Sequence, residues 1–296
     1  SDSRSGKTPK WMKRLQIIDS TTITLFSNLL FKGVGRHPKT GKKKGGIKVH
    51  TVIHANEGVP SDIKFTSAAT NDSFMLKPTT LSKGDIMAMD RAYIDYEKFE
   101  QLTQRGVIYV TKMKKNLKYT ILSDTMYQTP DGLMEVRIQN VEFVRQKKGG
   151  ETIHHKSRII SYVDVKKRKL ISLLTNDMES DPEEIVAIYR QRWEIELLFK
   201  QMKQNFPLKY FYGESANAIK IQIWVTLIAN LLLMVMQKGL TRKWSFSGLA
   251  TMVRITLMYY VDFYSLFNNP EKEWEIILSK ASGAPSGPSL FDPGGL

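Results

Sequence analysis

The sequence predicts an α/β protein in which helices flank a mixed sheet, with an all-β insertion and C-terminal helices. Three features of its 296 residues predict this architecture. Strand-like runs alternate with a helix signal over residues 1–113, short β-rich runs fill residues 114–175, and helical patterns return over residues 176–281. Residues 282–296 are rich in Gly, Pro and Ser and are predicted to form a flexible tail.

Five strands and one helix are predicted in the first part. Apolar or alternating runs place the strands at residues 15–19, 47–54, 62–67, 85–90 and 107–112. The first and fourth strands each end in an aspartate, Asp19 and Asp90. Helical spacing continues from Tyr96 to Arg105, and Gly106 is a predicted C-terminal stop. Hairpin-like strands followed by a strand–helix–strand unit are typical of a mixed sheet covered by helices.

The second part opens with a strong helix start. Asp181-Pro-Glu-Glu combines an N-cap aspartate, a proline at the first helical position and acids in the first turn. This helix is predicted to reach about residue 205, and two more are predicted near 215–238 and 245–260. The apolar run 221–236 includes three polar residues and is shorter than the roughly 20 residues of a membrane span, so it is predicted to be a buried core helix.

Composition restricts the chemistry. The chain has 44 Lys and Arg against 29 Asp and Glu, and a net charge of +15 favours a polyanionic partner, although a basic protein without one would share this composition. The absence of Cys excludes disulfides, thiol nucleophiles and Cys-based zinc sites. With only 5 His, and with His154-His155 predicted in an exposed turn, a metal would be held by carboxylates, which suits Mg²⁺.

One helical segment brings together four polar residues. Tyr189, Arg192, Glu196 and Lys203 fall within an arc of roughly 60° on an ideal helix. A solvated polar face with an Arg192–Glu196 pair would give the same geometry. Glu194, the other acid in this segment, lies roughly 160° from Glu196, so the two cannot face the same site.

The spacing Tyr-x₂-Arg-x₃-Glu-x₆-Lys resembles the YREK signature of bacterial insertion-sequence DDE transposases, and all four positions match. Ile17-Ile-Asp19-Ser-Thr is similar to the first aspartate motif of that family, and Met89-Asp90-Arg91-Ala92-Tyr93 to the second, with Ala92 in place of the commoner Gly. The segment containing Lys48 and His50 also resembles the second strand of the family. The resemblance covers residues 15–212, approximately, and includes the β insertion.

The resemblance implies an RNase H-like fold and a cut-and-paste DNA transposase. Asp19, Asp90 and Glu196 would bind two Mg²⁺ ions, replaceable by Mn²⁺, with Asp19 bridging both. Tyr189, Arg192 and Lys203 would hold phosphates of the transposon end. The remaining predicted DNA contacts are Lys48, His50, Arg91 and Trp193, although Trp193 could equally pack in the core. The expected partners are double-stranded DNA of the transposon ends and target and, on DNA, a second copy, all in the bacterial cytoplasm at the nucleoid.

Other segments suggest further contacts. Residues 32–48 are dense in Lys and Arg and are predicted to form a mobile loop that meets DNA, or else a solvated hairpin tip. Related enzymes use the insertion to handle a DNA hairpin with a stacking aromatic, and Phe143, Tyr127 or Tyr162 could substitute for the absent Trp. Residues 288–292 resemble peptides that dock on bacterial sliding clamps.

Two other functions fit the same residues. An RNase H-like nuclease would cleave DNA without joining a 3′-hydroxyl to a target. A non-catalytic DNA-binding protein derived from a transposase would need no acids near the phosphates.

Overall fold

Ten strands form one mixed sheet in the computed structural model, which describes residues 8–25, 35–36, 45–130, 132, 135–146, 150–164, 168–208, 210–256 and 263–282. The strands are β1 (Leu15–Thr24), β2 (Gly35–Arg36), β3 (Gly45–His54), β4 (Val59–Ser67), β5 (Ile86–Met89), β6 (Ile108–Lys112), β7 (Thr120–Gln128), β8 (Glu135–Gln146), β9 (Thr152–Asp164) and β10 (Lys169–Thr175). The helices are α1 (Tyr96–Gln104), α2 (Pro182–Arg190), α3 (Trp193–Asn205), α4 (Ala216–Gly239), α5 (Phe246–Thr256), α6 (Phe263–Asn268) and α7 (Pro270–Ser282). The chain divides into a first unit, residues 1–200 and 208–221, and a second unit, residues 201–207 and 222–296.

The central strands of the sheet form both antiparallel and parallel pairs. Their order is β4-β3-β1-β5-β6, in which β4, β3 and β1 pair antiparallel while β5 and β6 add parallel to β1. A parallel pair needs a crossover connection, and α1 supplies it between β5 and β6. The predicted mixed sheet flanked by helices is confirmed.

The sequence predicted that the first strand ends at Asp19, and this prediction is wrong. β1 continues to Thr24 because β3 pairs with it as far as Gly46. What stops near Asp19 is the pairing with β5, whose last register pair is Ile18 with Met89. Asp19 and Asp90 therefore occupy equivalent positions directly after the last pair of two neighbouring parallel strands.

The β-rich segment continues the same sheet. β10 pairs antiparallel with β6, and β9, β8 and β7 follow outward in that order. β7 to β10 all lie within residues 114–175, where the sequence predicted β character. The proposed division at residues 113, 175 and 281 stays a prediction.

The helix carrying the polar motif is interrupted, which corrects the prediction of one helix to residue 205. α2 ends at Arg190 and α3 begins at Trp193. Between them the backbone forms a 3₁₀-type turn. Gln191 N–H donates to Ile188 O, and Arg192 N–H donates to Tyr189 O, each three residues back. No Pro or Gly signals this break. Tyr189 thus lies on α2, Arg192 in the turn, and Glu196 and Lys203 on α3.

Helix α1 packs its apolar side against the sheet. Asp95 caps it by accepting from Lys98 N at 3.3 Å, and Gly106, with φ of 68°, follows its end. Phe99 is fully buried and stacks on Tyr109 of β6 with ring centroids 4.0 Å apart. The predicted stop at Gly106 is confirmed by this left-handed conformation.

The prediction that His154-His155 forms an exposed turn is wrong. Both residues lie on β9, and His155 is fully buried. Its Nδ1 lies 2.9 Å from a carboxylate oxygen of Glu100, and its Nε2 lies 2.7 Å from the hydroxyl of Tyr109, which also contacts Ser157 at 2.8 Å. Burial lowers the pKa of His155, although the Glu100 carboxylate opposes this shift.

We expect this buried histidine to make stability depend on pH. The unfolded chain protonates His155 below its ordinary pKa of 6.5, whereas the folded protein does so only at lower pH, so protonation favours unfolding. The contribution of His155 to stability should be largest above pH 6.5 and should decrease as the pH is lowered. Urea unfolding at a series of pH values should show that the free energy of unfolding falls less on acidification for His155→Gln than for wild type. His154→Gln, whose side chain is 58% exposed, is the control and should follow wild type.

Helix α4 is not the fully buried core helix predicted from its apolar run. Leu227 and Leu233 are buried, but Val225, Ile228, Leu232 and Val235 are exposed on the other side. Within the described residues, one helix, α4, is long enough and apolar enough to cross a membrane, judged by length and composition alone. The core helices of soluble proteins also meet these two criteria. In the second unit, Leu233 joins α5 and α6 in a core that also contains Phe246, Leu249, Leu266 and Phe267.

Candidate active site

Two aspartates lie side by side at the centre of the first unit. Asp19 on β1 is largely buried, with 18% of its side chain exposed, and accepts a hydrogen bond from Ser20 N at 2.7 Å. Asp90 follows β5, caps a short 3₁₀ helix (Arg91–Tyr93) and accepts from Ala92 N at 3.0 Å. Ala92 has no positive φ, so its replacement of the commoner Gly causes no backbone strain.

Arg192 joins the first aspartate to the helix motif. Its Nη1 donates to Asp19 Oδ2 at 2.9 Å and its Nη2 to Glu196 Oε1 at 2.5 Å. Its guanidinium carbon lies 5.7 Å from the ring centroid of Tyr189. Three of the four motif residues therefore meet at the Arg192 guanidinium, which lies in the turn between α2 and α3 and also binds Asp19.

The site has more negative than positive charge, because three carboxylates share the one Arg192 guanidinium. Burial raises the pKa of Asp19 to about 6, and the nearby carboxylates of Asp90 and Glu196 add to this shift, while the Ser20 N–H and Arg192 oppose it. A carboxyl that is this difficult to ionise lies where a cation would be favourable. Because Asp90 and Glu196 influence Asp19 electrostatically, the three predicted acids belong to one cluster.

The donor set fits a hard divalent cation. Asp19, Asp90 and Glu196 offer carboxylate oxygens, the ligands that Mg²⁺ and Mn²⁺ accept, and a cation would offset the charge deficit at Asp19. Among the described residues, no three His, Asp or Glu groups form a ready-made coordination cluster. Instead the Arg192 guanidinium binds two of the three carboxylates.

The other predicted contacts around the motif are mostly exposed. Trp193 is 57% exposed, so its alternative placement in the core is wrong and its DNA contact stays a prediction. Arg91 is exposed beside Asp90, and Lys203 is exposed on the part of α3 that belongs to the second unit. Glu194 is also exposed, away from the cluster that Glu196 joins.

Lys48 and His50 have a different role from the predicted DNA contact. His50 is fully buried, with Nε2 at 2.7 Å from the hydroxyl of Thr66, so its side chain offers no surface to DNA. Lys48 is 11% exposed and donates to Thr70 O at 2.7 Å, and its Nζ lies 3.3 Å from Asp72. Burial lowers the pKa of His50 to about 4, although Asp72 opposes the shift.

Asp72 is the centre of this network, and sequence reasoning missed it. The carboxylate lies 3.3 Å from both Lys48 Nζ and His50 Nδ1, and it accepts from Ser20 Oγ at 2.7 Å. Ser20 directly follows Asp19, so Asp72 ties β1 and β3 together next to the acid cluster. The sequence gives little indication of this role, because Asp72 lies in a short 3₁₀ helix (Asp72–Met75) after β4.

We expect Asp72→Ala to destabilise the fold strongly. Removing the carboxylate leaves the largely buried Lys48 without its counter-charge and the half-buried Ser20 hydroxyl without its acceptor, which typically costs about 3 kcal/mol. Urea unfolding would measure this loss. Asp62→Ala is the control, because the Asp62–Lys77 pair is 43% and 35% exposed and its loss should change stability by less than about 0.5 kcal/mol. Equal stabilities of the two variants would contradict the central role of Asp72.

The aromatic residues predicted to stack on a displaced base are poorly placed. Phe143 is fully buried and Tyr162 is 4% exposed, so neither presents a ring face. Tyr127 is half-buried and donates to Glu183 at 3.3 Å. Tyr119, which was not predicted for this role, is 37% exposed.

Two other predicted segments cannot be placed. The predicted basic loop at residues 32–48 lies mostly outside the described residues, and the clamp-like segment 288–292 lies wholly outside them.

Comparison with known proteins shows curated relatives in several bacteria. One, from Sinorhizobium fredii, is 27% identical over 219 residues, covering 74% of this chain and 60% of the relative. A second is named a probable transposase for insertion sequence element IS5377 of Geobacillus stearothermophilus and is 25% identical over 224 residues, covering 76% of this chain and 57% of the relative. A third, the transposase for insertion sequence element IS231F of Bacillus thuringiensis subsp. israelensis, is 22% identical over 266 residues. This match covers 73% of this chain and 55% of the relative. The chain thus spans only 55% to 60% of the length of these relatives.

A solved structure and a family model also match. The cryo-EM structure of a piggyBac transposase synaptic complex with hairpin DNA aligns with a TM-score of 0.48 at 11% identity, covering 94% of this chain and 59% of that chain. The family model described as Transposase DDE domain matches residues 10–232, well over half of the sequence. The chain therefore belongs to the family of proteins with a transposase DDE domain.

Proposed function

We propose that this chain is the catalytic part of a DNA transposase that cleaves and joins DNA strands with divalent metal ions. The observation that carries the proposal is that the Arg192 guanidinium binds both Asp19 and Glu196, while the Asp90 carboxylate lies close enough to act electrostatically on Asp19. Membership in the family supports it, because the curated relatives are named as transposases.

In this proposal, Asp19, Asp90 and Glu196 hold two Mg²⁺ ions, which Mn²⁺ can replace. Such ions would activate the attacking oxygen and stabilise the leaving oxygen of a phosphodiester. β1 and β5 hold Asp19 and Asp90 in fixed register, and α3 brings Glu196 to them. The partial burial of Asp19 excludes water, which strengthens each electrostatic interaction there.

The proposed partner is double-stranded DNA of transposon ends and target. The net charge of +15 favours this polyanion. Tyr189, Lys203, Arg91 and Trp193 are the candidate contacts, and Arg192 would contribute once it leaves the carboxylates. We further propose that two copies act together on paired ends, in the bacterial cytoplasm at the nucleoid.

Two other functions use the same residues. A nuclease of the same fold would hold the same ions and cleave without joining. A non-catalytic DNA-binding protein would gain nothing from three acids near phosphates, because carboxylates repel them. The cluster around Asp19 therefore favours an enzyme over a binding protein.

The test is metal-dependent DNA cleavage and joining. Supercoiled plasmid should be nicked in Mg²⁺ or Mn²⁺ and left intact in EDTA. In the same buffer, a labelled DNA end with a free 3′-hydroxyl should become covalently attached to the plasmid. Nicking without attachment would identify the nuclease, and DNA binding without either reaction would support the non-catalytic protein.

A further inference from the structure

A cavity of about 800 Å³ opens on one face of the sheet in the first unit. Its floor comes from β8, β9 and β10, because alternate side chains of a strand point to the same face. Register places Arg137 opposite Ser161, and Ser161 opposite Ser172, so the three form one row across the strands. The hydroxyls of Ser161 and Ser172 lie 2.7 Å apart in that row.

The wall of the cavity is a lysine-rich segment. After β6 the chain turns through residues 113–119, which Met113 and Leu117 fix by packing on the core. This leaves Lys114, Lys115 and Lys118 exposed along the cavity. The described lining includes no Asp or Glu.

Most of this charge is uncompensated. Lys114, Lys115, Lys118, Arg91 and Lys169 form no ion pair with an acid in the described part of the chain. Arg137 differs, because the carboxylate of Asp124 binds it through Nε at 2.9 Å. Like charges held around one space repel each other unless an anion lies between them. The cavity is therefore suited to a ligand with several negative charges.

The cavity also adjoins the acid cluster. Arg91, on its lining, directly follows Asp90 in the short helix that Asp90 caps. A strand in the cavity would thus continue toward Asp90, where a metal ion bound to the carboxylate would hold a phosphate. This continuity favours a nucleic-acid strand over a small anion.

Size and floor chemistry distinguish one strand from a double helix. A volume of 800 Å³ is that of a site for a small molecule, and it matches a short stretch of single strand. The floor also includes Leu170, which is 64% exposed, and an apolar surface suits unpaired bases better than stacked ones. Resting on the proposed DNA function, we propose that the cavity binds a short length of one DNA strand that has left the duplex, through the lysines of residues 114–118.

Anisotropy of fluorescein-labelled DNA tests this directly. The whole chain is titrated, in EDTA, onto a single-stranded oligonucleotide and onto the duplex of the same sequence. The triple variant Lys114→Gln, Lys115→Gln, Lys118→Gln should lose roughly tenfold to hundredfold affinity for the single strand, and the dependence of log affinity on log salt should flatten by about 2. Its affinity for the duplex should change much less.

Two matched variants complete the test. Lys220→Gln, Lys243→Gln, Lys272→Gln removes the same charge from exposed positions outside the cavity lining and should bind both DNAs nearly as wild type. Replacing the three cavity lysines by Arg should restore single-strand binding. Equal losses for single strand and duplex, or an equal loss in the control, would overturn the proposal. Since EDTA removes metal-dependent cleavage, this result is independent of whether the nicking test succeeds.

Discussion

Glu196→Gln is expected to abolish metal-dependent nicking while leaving the fold intact. The substitution keeps the size of the side chain and removes the charge that would bind a metal ion. Metal stabilisation of a phosphoryl transition state is worth several kcal/mol, so at about 1.4 kcal/mol per tenfold the nicking rate should fall by roughly a thousandfold or more. Plasmid nicking in Mn²⁺, followed as a time course, measures it.

Glu194→Gln is the matched control for this loss. It lies two residues earlier on α3, removes the same charge and is exposed away from the cluster. This variant should nick at close to the wild-type rate. Equal nicking by wild type and Glu196→Gln would place the activity elsewhere and refute the three-acid site, whereas equal loss in both variants would show that only the net charge of α3 matters.

The sequence predicted the strands near Asp19 and Asp90 because each contains a short, mainly apolar run, Leu15–Ile18 and Ile86–Met89. It could not predict where β1 ends, since Ser20 to Thr24 is polar except for Ile23 and forms a strand through its pairing with β3. Strand ends set by a neighbouring strand are invisible in a local pattern. The equivalence of Asp19 and Asp90 came from the parallel register, which spacing alone does not contain.

The motif residues were found by spacing, although the helix that was meant to align them is broken. The turn at Gln191 and Arg192 has no breaker residue, so local propensity gave no warning of it. Tertiary contacts account for the placement of Arg192, whose guanidinium bonds to Asp19 on a distant strand. The spacing of the motif therefore reflects a three-dimensional arrangement more than one helical face.

Buried polar groups were the hardest features to predict. The sequence predicted His50 as a DNA contact and His155 in an exposed turn, but both side chains are fully buried. Both are buried because carboxylates far away in sequence, on Asp72 and Glu100, lie beside their ring nitrogens. Such long-range partners are set by the assembled sheet and cannot be read from neighbouring residues.

Arg192→Ala is expected to destabilise the metal-free protein and to make its stability respond more to metal. Arg192 is 16% exposed and Asp19 18%, so the substitution leaves a nearly buried carboxylate beside two others without its cation. Losing one partner of such a pair costs about 3 kcal/mol, which for a protein of this size lowers the melting temperature by several degrees. A divalent ion added to the variant would replace the missing positive charge.

Thermal unfolding in EDTA and in Mn²⁺ separates the two effects. In wild type, a divalent ion must compete with a guanidinium already bound to Asp19 and Glu196, so the gain in melting temperature on adding Mn²⁺ should be small. In Arg192→Ala the gain should be larger, because a ligand that binds more tightly stabilises the folded state more. Lys200→Ala, an exposed cation on α3, should behave as wild type. A smaller gain in Arg192→Ala than in wild type would mean that Arg192 helps to assemble the carboxylates for the ion and does not compete with it.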